Sequence, residues 1–294
     1  NTSTFLNFTS LVNGGALADG NYTYNVTLKD LASNSNLTAT RTVYLDNAAP
    51  TMSFVESSQG NQSYLSDNST FSIAIAFTEA NFYNLSYVFS NSSAYNRTNR
   101  TYPSQTSLTF NSFLNETTTF ADDNYTVNVT LYDRAWNSVV RTIGFTIDTN
   151  TSEIGIQDGT PKNNSVVNGN SIFMNSSWNE TYFNNLTFVF KNDSTINVTT
   201  LSNRSVPYVN FTSLEDGNYT CNVTIRDAAG NSNTTSVRTF WVDTTAPQLD
   251  YHALAKGNNT YLNSNGSIYL KMALNESNFV NFTFKLFNGT AANT

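Results

Sequence analysis

Charge is the scarcest property of this chain. Asp, Glu, Lys and Arg make up only 12% of its 294 residues, and 14 basic against 21 acidic side chains leave a net charge of −7. A thin acidic charge layer excludes nucleic-acid binding, which needs clustered Lys and Arg to displace counterions from phosphates. Cysteine occurs once, at Cys221, so no intrachain disulfide can form. Histidine also occurs once, at His252, which leaves almost nothing from which to build a nucleophile with its base. No apolar run has the length of a membrane span, and the longest, Phe71 to Phe77, is strand-sized, so membrane insertion of this segment is not expected. No secretory leader is visible and the first residue is Asn1, which reads as a processed product or a segment of something longer.

Asn, Ser, Thr and aromatics take the place of charge. Asn-X-Ser/Thr sequons number 31, where roughly 12 would arise by chance from this composition. Six of them, at Asn21, Asn25, Asn124, Asn128, Asn218 and Asn222, fall on the outward positions of alternating segments, and Asn84, Asn185 and Asn281 recur together in a second segment. Asn-Thr alternation is also an inexpensive uncharged outer face for a strand. The excess over chance favours covalent N-glycans at a subset of these positions, and with them an extracellular or cell-surface setting.

The chain repeats itself. An acidic turn followed by an alternating segment begins at Asp19, Asp122 and Asp216, spaced 103 and 94 residues apart. A second marker, Thr78-Glu79-Ala80-Asn81-Phe82, returns at Asn179 to Phe183 and at Asn275 to Phe279. A third, Arg41 to Asp46, returns at Arg141 to Asp148 and Arg238 to Asp243. The unit is about 98 residues. By its phase, 1–50 is the back half of a unit, 51–150 and 151–247 are complete units, and 248–294 is a front half. The expectation is that each half is completed by continuing chain or by the complementary half of the next molecule, the second giving a head-to-tail filament. Left alone, a half sandwich would expose an inner face and open strand edges.

Within a unit every periodic segment has a period of two. Tyr219, Cys221, Val223 and Ile225 fall on one side of an extended chain, and Asn218, Thr220, Asn222 and Thr224 on the other. Strands are predicted likewise over 71–77, 172–178 and 268–274, and through Leu85/Tyr87/Phe89, Leu186/Phe188/Phe190 and Phe282/Phe284/Leu286. The turns Asp30 to Asn34, Asp133 to Asn137 and Asp227 to Asn231 suit tight hairpins. The fold class is all-β, with no helical periodicity of useful length.

The stretch Asp216-Gly217-Asn218-Tyr219-Thr220-Cys221 resembles the tyrosine corner of immunoglobulin-like domains, in which a Tyr bonds back to upstream backbone. Tyr22 and Tyr125 stand at the same place, while Tyr24 and Val127 replace the cysteine. Together with Asp-Ala-Ala-Gly-Asn and Asp243-Thr244-Thr245-Ala246-Pro247, the pattern resembles the tandem Ig-like repeats of bacterial and archaeal surface proteins. The sequon load is most similar to the archaeal ones. The resemblance implies tandem immunoglobulin-like β-sandwiches and a structural, non-enzymatic extracellular role. Adhesin or carbohydrate-binding repeats, which would take cell-surface glycans, and a spacer region of a large secreted enzyme are the other readings it admits.

Cys221 reads as a small buried hydrophobe. Asp46, Asp148 and Asp243 end repeats, and Glu79, Glu180 and Glu276 follow each about 33 residues later. These acids admit two readings. They could supply oxygens to calcium at the repeat boundaries, or cap turns, and the lack of any Asp-X-Asp cluster favours capping. No other cofactor is expected. Prolines in Ala48-Ala49-Pro50 and Thr245-Ala246-Pro247 predict constrained linkers. Trp136, in a hairpin turn, is the aromatic best placed to stack on a sugar or to pack on the corner beneath it.

Overall fold

The computed structural model describes residues 4–5, 7, 15–55, 60–68, 71–92, 96–101, 107–109, 120–263, 267–289 and 291–293, the side chains of 96–101, 107–109 and 291–293 excepted. They form two compact units, one of residues 1–153, 178–185 and 225–233, the other of 154–177, 186–224 and 234–294.

In the first unit a β-sandwich is built from a sheet of five strands and a sheet of three. The larger places Ser63–Leu65, Ser138–Ile147, Asp123–Asp133, Phe82–Asn91 and Asn96–Thr101 side by side, and the smaller orders Ser107–Thr109, Ser72–Thr78 and Thr51–Phe54. Strand Asp123–Asp133 follows its alternation: Tyr125, Val127, Val129 and Leu131 are buried, and the residues between them face outward or lie half-buried. Between the sheets lie Met52, Phe71, Ile73, Leu85, Tyr87, Phe89, Ile143, Phe145 and Ile147. Each such side chain contributes about 1.5–3 kcal/mol when fully withdrawn from water, which fixes the register of every strand that carries one. The segment entering the sandwich serves both sheets: Thr51–Phe54 pairs antiparallel with Ser72–Thr78, and Ser63–Leu65 runs parallel to Ser138–Ile147.

The second unit holds most of the next sandwich. One sheet orders Glu153–Ile156, Ile172–Asn179 and Tyr208–Phe211. The other orders Ser165–Val167, Arg238–Val242, Gly217–Asp227, Phe183–Lys191 and Ile196–Leu201, with Ser232–Thr234 beside Gly217–Asp227. Its core includes Ile172, Met174, Phe188, Phe190, Phe211, Tyr219, Cys221, Val223 and Phe240.

The half repeats form shorter pairings. Gly20–Tyr24 lies against Arg41–Leu45, Thr27–Lys29 against Ser35–Leu37, Gln248–Tyr251 against Met272–Asn275, and Leu286–Asn288 against Ala291–Asn293. The predicted strands at 268–274 and through Phe282 to Leu286 are therefore only partly formed. In the complete repeats the second of these lies beside the strand that carries Asn-Tyr-Thr, and no such strand follows residue 247 among the described residues. Positions that are buried in complete repeats stay exposed here: Tyr24, Val26, Leu28 and Val43 in one half, and Phe282, Phe284 and Leu286 in the other.

Candidate functional site

The hairpin turns establish the geometry of the site. Asp133 accepts from both the backbone N–H and the side-chain amide of Asn137, each at 2.8 Å, and Asp227 does the same with Asn231 at 2.8 and 2.9 Å. Asp30 and Asn34 repeat the pair at 2.8 Å. Each turn places one residue in the left-handed region, Ser33, Trp136 or Gly230, and only the last is the residue type that adopts it without steric cost.

The same asparagines reach back to the preceding repeat. Asn137 Nδ2 donates to the Asp46 carbonyl at 3.0 Å, and Asn231 Nδ2 to the Asp148 carbonyl at 2.8 Å. The repeat-ending acids cap the chain as it leaves: Asp46, Asp148 and Asp243 accept from Ala48, Asn150 and Thr245 N–H, each at 3.2 Å. The recurrent glutamates close tight turns, with Glu79, Glu180 and Glu276 accepting from Asn81, Tyr182 and Asn278 N–H at 2.6, 2.7 and 2.7 Å. The acids that open each corner strand hold the linker side chains: Asp19 takes Asn47, Asp122 takes Thr149 and Asn150, and Asp216 takes Thr244 and Thr245.

These elements converge carboxylates. Oxygens of Asp46, Glu79 and Asp133 lie within 4.8 Å of one another, as do those of Asp148, Glu180 and Asp227. The second trio is buried throughout, with exposures of 5%, 8% and 0%, and lies wholly in the first unit. Asp243 and Glu276 share Asn278 but gather no third acid among the described residues. The capping expected of these acids and their convergence thus occur together. The sequence pattern missed Asp133 and Asp227, because the acids come from three separate strand ends rather than from one Asp-X-Asp run. The signal present in the sequence was the recurrence of Asp four residues before Asn at the turn.

Burial pushes the Asp148 carboxyl above its ordinary value, against the lowering hydrogen bond from Asn150, and repulsion from Asp227, Glu180 and Asp122 adds to the rise. A raised native pKa means that the folded chain holds this proton more readily than the unfolded one. Its contribution to stability is complete in acid and is lost as pH rises through the raised value. Asp148→Asn is therefore more stable than the parent at neutral pH, and the difference closes in acid. Urea melts across a pH series check this, and parallel profiles for parent and variant would refute it. Asp216 behaves oppositely: hydroxyl bonds from Thr245 and Thr244 hold its carboxyl below the ordinary value, so its support is lost as pH falls.

The remaining sequence candidates fall as follows. The hydroxyls of Tyr22, Tyr125 and Tyr219 donate to the carbonyls of Ala18, Ala121 and Glu215 at 2.7, 2.9 and 2.9 Å, four residues upstream in each case. Cys221 is buried, and burial pushes its thiol up to about 12, which removes it as a nucleophile at neutral pH. His252 Nδ1 accepts from Leu254 N–H at 3.1 Å. Trp136 is 64% exposed, and its ring meets Tyr83 and Tyr132 edge-on at 5.2 and 5.9 Å.

Asn21, Asn25, Asn124, Asn218 and Asn281 are exposed, and Asn128, Asn185 and Asn222 are half-buried. Asn124 and Asn128 bond Thr146 and Thr142 through Oδ1, leaving unused in those bonds the nitrogen that a glycan would take. Asn84 corrects the sequence expectation. It is 2% exposed, and no glycan can reach its amide in the folded chain.

Two paired sheets, a tyrosine corner in each repeat and the shared boundary geometry define tandem immunoglobulin-like β-sandwiches. Residues 157–244 match the model of the bacterial Ig-like domain family. Among solved structures, the chain is similar to the fibronectin(III)-like modules of Clostridium thermocellum CbhA at 12% identity, covering 65% of this chain and 93% of that one, with a TM-score of 0.36. It is similar to the FN1–FN3 domains of chicken CNTN1 at 11% identity, covering 70% and 72%, with a TM-score of 0.38. It is also similar to a tetra-tandem repeat from the extending region of a large adhesion protein at 16% identity, covering 80% and 61%, with a TM-score of 0.32. No curated protein sequence matches at a significant level. No helix among the described residues is long and apolar enough to cross a membrane.

Proposed function

We propose that this chain is a stretch of an extracellular, N-glycosylated stalk, filament or surface layer, in which Ig-like sandwiches act as structural spacers and not as an enzyme. The observation that carries the reading is the repeated boundary clamp. Asn137 and Asn231 each bind the carbonyl of the acid ending the preceding repeat, while Asp19, Asp122 and Asp216 each hold the linker that follows the last strand of their own repeat. Freely jointed domains need no such device, whereas a spacer that transmits force does. Electron microscopy of the purified chain tests it: a narrow distribution of end-to-end distances is expected, and a broad one would overturn the reading. In material from the native source, peptide mass spectrometry is expected to find glycan at a subset of the exposed sequons, Asn21, Asn25, Asn124, Asn218 and Asn281, and none at Asn84. Bare asparagine at every one would remove the glycoprotein element.

The partner this function implies is more of the same repeat. The exposed Phe282, Phe284 and Leu286 match Leu85, Tyr87 and Phe89, which are buried in a sheet that also holds the corner strand, the counterpart of Gly20–Tyr24. Either continuing chain or the back half of a neighbouring copy would bury them. A second reading, sugar binding by an adhesin-like surface, draws on exposed Trp136 beside Tyr83. Glycan-array binding that disappears in Trp136→Ala would favour it.

A further inference from the structure

We infer that the open edges of the larger sheet are N-glycan sites, at Asn163, Asn192 and Asn203 in the third repeat and at Asn61 in the second, and that the sugar blocks edge-to-edge pairing. The inference rests on the glycoprotein element of the proposed function and adds to it the sites and the task. An open strand edge presents unpaired N–H and C=O groups to any other strand, and proteins usually blunt it with Lys, Pro or a covering element. In the third repeat, Ile196–Leu201 ends the larger sheet, and its outer side is unpaired among the described residues. It carries no charge and no proline, and Ile196 and Val198 are 65% and 59% exposed. The opposite edge strand, Ser165–Val167, lacks both as well, with Val166 53% exposed. These edges carry sequons instead. Asn192-Asp193-Ser194, Asn197-Val198-Thr199 and Asn203-Arg204-Ser205 bracket and enter the first, and Asn163-Asn164-Ser165 opens the second. In the second repeat Asn61-Gln62-Ser63 opens the edge strand Ser63–Leu65. The opposite edge there, Asn96–Thr101, holds sequons at Asn96 and Asn99 besides Arg97 and Arg100, so the third repeat depends on sugar most.

The amides at four of these sequons are each held in one geometry. Asn163 Oδ1 accepts Thr239 N–H at 2.8 Å while Asn164 N–H donates to the Thr239 carbonyl at 2.7 Å, so the side chain stands in for a strand's own acceptor. Asn61 and Gln62 bind Gly144 in the same way, at 2.8 and 2.6 Å. Asn192 Oδ1 accepts from Ser194 and Thr195 N–H at 3.1 and 2.7 Å, and Asn203 Oδ1 accepts from Ser205 N–H at 2.9 Å. In all four the oxygen is committed to backbone, and Nδ2 has no acceptor among the described residues. Asn61, Asn163 and Asn203 are exposed, and Asn192 is half-buried. Glycosylation exchanges one Nδ2–H for a bond to the anomeric carbon of a phosphate-activated sugar donor. The C–O bond to phosphate breaks, phosphate leaves with the electron pair, and the amide proton passes to a base of the transferase. The side-chain carbonyl is untouched, so the bonds that fix each asparagine outlast the reaction and the sugar stays at the edge.

Peptide mass spectrometry of the chain from its native source should find glycan at Asn61, Asn163, Asn192 and Asn203. The task is tested by a triple variant made in the same host, Ser194→Ala with Thr199→Ala and Ser205→Ala. It deletes the three sequons of the Ile196–Leu201 edge and keeps every backbone bond to Asn192 and Asn203. Sedimentation velocity should show self-association tighter than the parent's by about tenfold or more, and hydrogen exchange should slow at 196–201. Adding Val198→Lys to the triple variant should return the parent's behaviour, because a charge guards an edge as sugar does. Thr220→Ala, which removes the Asn218 sequon from the centre of the same sheet, should change neither readout. Glycan at other exposed sequons with none at these four overturns the assignment and leaves the glycoprotein reading standing, whereas bare asparagine throughout removes both. A triple variant that associates no more than the parent, or whose association Val198→Lys leaves unchanged, overturns the edge-blocking role.

Discussion

Phe190→Ala is expected to remove about 3–5 kcal/mol from the stability of its sandwich. The ring is fully buried and sits at the centre of three other aromatics, stacked on Phe211 at 4.6 Å, on Tyr219 at 4.9 Å and on Phe240 at 6.2 Å. Phe211 belongs to one sheet and the other three rings to the facing sheet, so Phe190 is one of the contacts through which the layers meet. Deleting it costs the transfer of the ring and also leaves a cavity, because neighbours fixed by strand hydrogen bonds can collapse only partly. The loss extends to the corner, since Tyr219 aims its hydroxyl at the Glu215 carbonyl by resting on this ring. Urea denaturation should show a lower midpoint with an unchanged slope. Val198→Ala, at a 59% exposed position on the neighbouring strand, serves as the control and should cost less than about 0.5 kcal/mol. Equal losses in the two variants would mean that the aromatic stack does not hold the layers.

Much of this fold could be read from residue order, because two-residue alternation and burial are the same constraint. Tyr219, Cys221, Val223 and Ile225 are the buried side of their strand, and the corner tyrosines bond upstream in all three copies. What escaped the pattern is non-local. The parallel pairing of Ser63–Leu65 with Ser138–Ile147 joins segments far apart in sequence, and neither carries a mark naming the other. Asn84 was a glycan candidate on its sequon alone, and a sequon carries no mark of burial. A register shift between Tyr132 and Asp133 disrupts the ladder there, so both Asn84 and Leu85 are buried. The acidic trio was half legible. Asp148 and Glu180 carry the recurrence, whereas Asp227 was explained by its turn, and one residue doing both tasks is visible only once three strand ends are brought together.

Asn231→Ala is the second large effect, at roughly 2–4 kcal/mol. Its side-chain nitrogen donates both to Asp227 Oδ2 at 2.9 Å and to the Asp148 carbonyl at 2.8 Å. Truncation leaves two acceptors short of a donor, one of them on a fully buried carboxylate, and such a group carries nearly its whole desolvation cost once its partner is gone. The backbone N–H of residue 231 still reaches Asp227 Oδ1, so the turn persists and the damage falls on the tie to the preceding repeat. The matching change in the first repeat, Asn34→Ala, removes an amide from the exposed Asp30 and breaks no boundary bond in its own turn, so its cost should be far smaller. Scanning calorimetry separates the two components. Destabilisation of one sandwich moves a single transition, whereas loss of the tie also lets the second and third repeats melt apart. A transition in Asn231→Ala that shifts but stays undivided would mean that the bond across the boundary does not tie the two repeats.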